Sequence, residues 1–384
     1  MKYLSTQMDR LEGLLKTYNG RTPLIAYLKL FFKEHRNMGS SDRRRFTAMA
    51  MAHFRMAGAQ DMPTGTSIPW GMALGGSEDD AHTGHFRETL GVTSGSWAEM
   101  LAAMQAATGW KEAAYFPAYE GLTDQLPVAD FIQSHVKPSS VFLRIAPGRT
   151  EAVVAELNEK GWPFSRPEDH ILQLEGHHPL HLLASNDKGW WEIQDIASQQ
   201  TGSWWTPEPG QLWFDCCAGS GGKSLQLLEQ EPAIKLVVND NRAPVLDELQ
   251  YRFDRAGVAI PKMMQADLSE GIYEGLGPFD GIIADLPCSG SGTWGRTPER
   301  PRYFREKDIE KMAGLQRAII GNVAKVLAPG GKLYYITCSV YAAENEQNVE
   351  IVCRDLQLQC TRQTYHNYHA IGGDTLYIAE LMAV

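Results

Sequence analysis

Apolar and polar positions follow two rhythms along this chain, one helical and one alternating. Over residues 1–60, Leu11, Leu14 and Leu15, then Leu24, Tyr27, Leu28 and Phe31, recur at the spacing of a single helix face. Ser40-Ser41-Asp42 ahead of an arginine-rich run predicts a helix start with an N-cap, and Ser96–Ala107 predicts a further helix. Between them, residues 61–95 are dense in Gly, Thr, Ser and Pro and predict an irregular, exposed segment. Near residue 138 the rhythm changes. Val141–Ile145 and Ile171–Glu175 read as strands and Glu151–Lys160 as a helix, a small α/β unit that ends near Gly202.

From Gln211 onward short apolar runs alternate with helix-length segments. Leu212–Cys216, Leu236–Asn239, Lys262–Gln265, Gly281–Ala284 and Lys332–Thr337 are the strand candidates; Ala243–Ala256 and Lys307–Leu327 are the clearest helices. Such alternation predicts an α/β fold with a doubly wound, Rossmann-like, mostly parallel sheet. The expected organisation is a mostly helical domain over 1–137, a small α/β unit over 138–202 and the doubly wound domain over 203–384. In open sheets of this kind ligands bind beyond the carboxyl ends of the strands. Chemistry-bearing residues should therefore follow each strand, and they do.

The first strand runs into Asp215-Cys216-Cys217-Ala218-Gly219-Ser220-Gly221-Gly222-Lys223-Ser224. A phosphate-binding P-loop needs a glycine five positions before Gly222, and Cys217 stands there, so that motif fails. A nucleotide-like cofactor loop remains, and it predicts an acid after the next strand to meet ribose hydroxyls. Asp240 stands there, and Asp267 follows the third strand. The fourth strand ends in Asp285-Leu286-Pro287-Cys288 and the fifth in Thr337-Cys338-Ser339. Taken singly, each motif also admits a plainer reading: turn glycines, capping aspartates, and cysteines buried as small residues.

Composition narrows the class. Hydrophobic residues make up 43% of the 384 and charged residues 21%, the balance of a globular protein. No apolar run reaches the roughly 18–20 residues that span a bilayer. No secretory signal is visible, and the six cysteines show no metal-ligand spacing. A cytoplasmic protein without metal or membrane partner is expected. The net charge is −10, but residues 1–60 hold eleven Lys/Arg against four Asp/Glu, with Arg43-Arg44-Arg45 the densest run. A phosphate-contacting patch and a solvated helix face fit that run equally well.

Two thiols in a cofactor crevice suit one methyl-transfer problem. Carbon 5 of cytosine is barely nucleophilic, and a thiolate adding to carbon 6 makes it enamine-like, so that it can attack an electrophilic methyl group. A base must then remove the carbon-5 proton before the thiol can leave. Asp285 is placed to activate the base through its exocyclic amine and ring nitrogen. Lys223 is one candidate source of the positive field that keeps a thiol ionised near neutral pH, and a sulfonium cofactor is another.

At these residues the chain resembles the Fmu/Sun (NOL/NOP/Sun) family of RNA cytosine-5 methyltransferases, and in particular its bacterial small-subunit rRNA members. The resemblance rests on Cys217–Lys223, Asp240, Asp267, Asp285–Cys288 with Ser289-Gly290, and Thr337-Cys338-Ser339. It extends to Glu192–Gln199, Leu315-Gln316, Leu327–Gly331, Glu344-Asn345-Glu346 and Gly373–Ala379, the last of these as the closing strand. It implies that Cys338 is the nucleophile and that Cys288 assists release. It also implies that Cys217, Ala218, Gly219, Ser220, Gly221, Gly222, Lys223, Asp240, Asp267 and Asp285 hold S-adenosyl-L-methionine or lie against it. The N-terminal third, through Met38–Phe46, resembles an antitermination-factor-like RNA-binding domain. The implied partner is RNA, namely rRNA, with the chain acting as a monomer. Three positions depart from the family pattern: Gly219-Ser220 replaces Ala-Pro, Leu286 replaces Ala, and Val245 stands where an arginine is usual. The alternative function, a catalytically inactive RNA-binding or ribosome-assembly factor, draws on the first of these.

Overall fold

The structure, a computed structural model, describes residues 4–77, 80–176 and 178–383. Eight helices precede the first strand among these residues: α1 (Leu4–Thr17), α2 (Leu24–Glu34), α3 (Ser40–Ala57), α4 (Thr64–Gly75), α5 (Ala81–Leu90), α6 (Trp97–Thr108), α7 (Glu112–Tyr115) and α8 (Val128–Ser134). Then come β1 (Val141–Ile145), α9 (Thr150–Glu159), β2 (Phe164–Glu168), β3 (Ile171–Leu174), α10 (Ala184–Asp187), β4 (Trp191–Ile193) and α11 (Ile196–Thr201). The remainder is β5 (Leu212–Asp215), α12 (Gly222–Gln230), β6 (Lys235–Asn239), α13 (Ala243–Ala256), β7 (Lys262–Met264), β8 (Phe279–Asp285), α14 (Arg300–Tyr303), α15 (Lys307–Val323), β9 (Leu327–Thr337), α16 (Glu346–Leu356), β10 (Leu358–Asn367) and β11 (Thr375–Ala383).

The chain forms two compact units, Met1–Ser139 with Thr293–Glu306, and Ser140–Gly292 with Lys307–Val384. The first is helical. Leu11, Leu14, Leu24 and Leu28 are buried with Phe46, Met49 and Phe54 in one core, and α6 starts with a capping box between Ser96 and Glu99. Thr293–Glu306 belongs here: Glu299 accepts from the Leu24 amide at 3.0 Å, and the Tyr303 hydroxyl donates to the Tyr18 carbonyl at 3.0 Å. Nothing in the apolar pattern signals this excursion.

Two expectations for this unit need correction. Residues 61–95 are not irregular; they hold α4 and α5 (residues 78 and 79 lie outside the described part). Burial overrides propensity, because Ile68, Trp70, Met72, Ala73 and Leu74 all enter the core. Gly71 permits it: a β-carbon there would lie 2.3 Å from the Ala52 carbonyl oxygen of α3. The Ser40-Ser41-Asp42 cap is also displaced. Gly39 holds the N-cap position, no side chain caps the helix, and Ser40 already begins it.

In the second unit β2-β3-β1-β4 form an antiparallel sheet, and β10-β11-β9-β8-β5-β6-β7 form the large sheet. β5 pairs in parallel with β6 and β8, and β8 with β9, while β11 runs antiparallel to β9 and β10. Strand side chains alternate between two cores. Phe214, Ile282, Ala284, Leu333 and Tyr335 face one, and Trp213, Ile283, Tyr334 and Ile336 the other. The expected helix Lys307–Leu327 stops early: α15 ends at Val323, and Leu327 opens β9, where it pairs with Phe279. Because β5 is followed by β6 on one side and has β8 on its other, the connections diverge above the carboxyl ends of β5 and β8. That divergence opens the crevice.

Candidate active site

The turn from β5 into α12 builds one wall of the crevice. Gly219 and Gly221 take φ values of 53° and 83°, a region in which side-chain-bearing residues are strained. At Gly221 space also forbids a side chain, since a β-carbon would lie 2.7 Å from Leu249 Cγ of α13. At Gly219 nothing lies within 4 Å of an added β-carbon, so that side of the loop is open. Cys217 packs partly buried against one core of the sheet, and Ala218 is buried in the other. Gly222 begins α12, whose unpaired amides favour an anion or other acceptor.

Asp240, just past β6, reaches this loop. Its Oδ2 accepts the Gly219 amide at 3.0 Å, and Arg242 binds the same carboxylate through its amide, Nε and Nη2 at 2.9 to 3.0 Å. Burial pushes this carboxyl up, but the Arg242 and Gly219 hydrogen bonds outweigh it and hold the group below its ordinary value. Asp267 is placed differently. It is exposed after β7 and bonds Ser269, through the amide at 3.0 Å and the hydroxyl at 2.6 Å; among the described residues its carboxylate hydrogen-bonds none of the sequence-predicted site residues.

Lys223 and Asp285 come together. Lys223 Nζ lies 2.8 Å from Asp285 Oδ2 and 2.9 Å from Ser198 Oγ. Among the described residues its hydrogen bonds go to these two groups and to neither sulfur. Ser198 is held in turn by Gln194 Nε2 at 3.2 Å, so the segment leading into the large sheet fixes the lysine. Beneath them Asp215 is fully buried, and Ser224 Oγ donates to it at 2.6 Å. Burial raises its pKa to about 7.

β8 and β9 are neighbours, and the loops beyond them bring Cys288 Sγ and Cys338 Sγ to 3.4 Å. A buried polar network sets that spacing. Glu344 is fully buried and accepts the Ser289 amide at 2.9 Å, Gln316 Nε2 at 3.0 Å and Ser339 Oγ at 2.7 Å. The hydroxyls of Ser289 and Ser339 lie 3.0 Å apart, and Ser291 Oγ accepts the Val340 amide at 2.9 Å. Gln316 also donates to the Pro287 carbonyl at 3.0 Å. Each cysteine loop is thus tied to the other and to α15. Burial pushes the Glu344 carboxyl up, with the serine and Gln316 hydrogen bonds pulling it back only in part. The hydrogen bond with Cys338, burial, and the nearby Glu344 charge push the Cys288 thiol well above its ordinary range.

Sequence reasoning assigned no role to Ser289, Ser291, Ser339, Gln316, Glu344 or Ser198. Five of them, all but Ser291, stand inside segments that carry the family resemblance. A buried glutamate flanked by hydroxyl-bearing loops leaves no periodic signal.

A seven-stranded sheet with an antiparallel β11 inserted beside β9, a glycine turn after β5 and an acid after β6 defines the class of Rossmann-like methyltransferases. Residues 203–382 match the family model described as 16S rRNA methyltransferase RsmB/F. Ribosomal RNA small subunit methyltransferase B of Escherichia coli O6:K15:H31 (strain 536 / UPEC) is 32% identical over 199 residues, covering 52% of this chain and 46% of that protein. The namesake from Escherichia fergusonii is 31% identical over 199 residues, with the same shares, 52% and 46%. The match therefore spans about half the length of these curated relatives. Among solved structures, PH0851 is similar with a TM-score of 0.70 at 20% identity, covering 92% of this chain and 93% of that one. NSun6 from Pyrococcus horikoshii with SFG reaches 0.61 at 19% identity, covering 69% and 96%. At such identities the likeness is one of fold.

Proposed function

We propose that this protein transfers a methyl group from S-adenosyl-L-methionine to carbon 5 of a cytosine in RNA, namely small-subunit rRNA, through a covalent Cys338 adduct. The observation that carries this reading is the pair of sulfurs at 3.4 Å, fixed at the crevice end of adjacent parallel strands.

The residues present fit the cofactor. Gly219 leaves open space over a turn whose amides start α12, and Asp240 stands beside it to meet ribose hydroxyls. Gly219, Ser220, Gly221 and Gly222 would line it, with Asp285 near its reactive end and Asp267 at the rim. When bound, the cofactor supplies an electrophilic methyl group.

The protein's own groups do the rest. Cys338 Sγ bonds carbon 6 of the ring, and the ring electrons move onto carbon 5. Asp285, oriented by Lys223, meets the exocyclic amine and ring nitrogen, a role supported by its 2.8 Å ion pair and its partial exposure to the crevice. Once carbon 5 carries the methyl group, loss of its proton to a base restores the ring double bond and expels the Cys338 sulfur. Cys288 keeps its proton more firmly than an ordinary thiol and can present an S–H to the departing sulfur.

A base inside a helix is out of a thiol's reach, so the target cytosine is unpaired or extruded. Residues 1–139, with the excess of Lys/Arg over the first 60, are the RNA-docking candidate. Reduced thiols are a condition of this chemistry, which fits the cytoplasm. Among the described residues no helix is long and apolar enough to cross a membrane. The test is transfer of labelled methyl from S-adenosylmethionine to small-subunit rRNA, followed by nucleoside digestion. Label in 5-methylcytidine is the expected result; no label, or label in another nucleoside, contradicts the reading.

A further inference from the structure

Ser220 sits between the two positive-φ glycines, the most deformable point of the turn. It is not left to itself. Arg252 of α13 donates from Nη1 to Ser220 Oγ at 2.7 Å and to the Ser220 carbonyl at 3.2 Å. The same guanidinium donates from Nε to Glu192 Oε2 at 2.8 Å, and Nη2 lies 2.8 Å from that oxygen. Glu192 is 3% exposed, on β4 of the small sheet, and Arg255 holds its other oxygen. Arg252 is therefore clamped on one side by a buried carboxylate and on the other grips the hydroxyl and the carbonyl of one loop residue. Leu249 and Phe253, flanking it on the same helix, fill the space under Gly221.

We infer that Arg252 is a positioning residue for the cofactor loop. Its fork, anchored by Glu192, supplies the rigidity that the sequence Gly219-Ser220-Gly221-Gly222 lacks, and so sets the affinity for S-adenosylmethionine. The inference rests on the reading of this turn as the cofactor loop. A planar guanidinium with several fixed donors can hold two groups at once, whereas a lysine ammonium offers charge without the fork. The loop's geometry is thereby tied to β4 of the small sheet as well as to the large one.

The test compares the full-length protein with Arg252→Lys, Ser220→Ala, the double variant, and Ser220→Pro combined with Arg252→Lys. Calorimetric binding of S-adenosylmethionine, KM and kcat for methyl transfer, and melting temperature are read for each. Either single change is expected to weaken cofactor binding about tenfold, with KM for the cofactor rising in step and kcat and KM for RNA unchanged. The double variant should lose less than the product of the two single losses, because both changes remove the Nη1–Oγ contact. Ser220→Pro should restore binding in the Arg252→Lys background by stiffening the turn directly. Unchanged affinity in both single variants overturns the inference, as do strictly multiplicative losses in the double variant. Ser220→Ala removes only a hydroxyl and keeps the test valid if Arg252→Lys unfolds. Failure of the unaltered protein to bind S-adenosylmethionine would instead defeat the cofactor reading itself.

Discussion

Lys223 and Asp285 form an asymmetric ion pair: the ammonium is nearly buried, while the carboxylate 2.8 Å away is about one-third exposed. The lysine therefore depends on the aspartate more than the reverse. Asp285→Ala leaves a buried cation with Ser198 as its remaining acceptor, and should lower stability by about 2 kcal/mol, less than a wholly buried pair would show. Asp285→Asn keeps an acceptor for Lys223 and should fold within about 1 kcal/mol of the parent, yet lose methyl transfer by about 100-fold. Denaturant melts and single-turnover rates separate the two effects. A fully active Asp285→Asn would remove this carboxylate from the chemistry.

Asp215 gives stability a pH dependence of definite sign. Folding raises its pKa from 3.8 to about 7 through burial. Between those values the folded state holds a proton the unfolded state has released, so this group's contribution falls as pH rises through that window. At most it adds a slope of about 1.4 kcal/mol per pH unit. Asp215→Asn, which can still accept from Ser224, should flatten the curve between pH 4 and 7. Parallel curves for the two proteins would contradict the assignment.

Two glycines of one loop should respond unequally to alanine. Gly219→Ala meets open space and a left-handed backbone, a cost of about 1 kcal/mol. Gly221→Ala adds the overlap with Leu249 and should cost about 3 kcal/mol, with loss of cofactor binding. Equal effects in thermal melts would show that the loop does not hold the conformation described.

The large sheet was legible because its strands carry strong local signals. Leu212–Asp215, Lys235–Asn239 and Ala243–Ala256 stand at or within one residue of their sequence-derived bounds. The pairing of the two cysteines followed from their places after successive strands, and their separate roles from the family resemblance. β10 escaped notice, as did the helices α4 and α5, because edge-strand polarity and Gly-rich burial blur periodicity. What no pattern could announce is the network behind the thiols. Ser289, Ser339, Gln316 and Glu344 meet only through three separate stretches of chain. Likewise Ser220 read as a lost proline, and its clamp by Arg252 spans 32 residues.

The 3.4 Å separation of Cys288 and Cys338 frames the central claim, that one thiol attacks and the other frees it. The most direct measurement incubates the parent protein, Cys288→Ala, Cys338→Ser and the double variant with substrate RNA and S-adenosylmethionine, then resolves them on denaturing gels. Cys288→Ala should accumulate a slowly migrating protein–RNA band that nuclease removes, and neither variant lacking Cys338 should form it. A band in Cys338→Ser, or an identical pattern in both single variants, would contradict the division of roles.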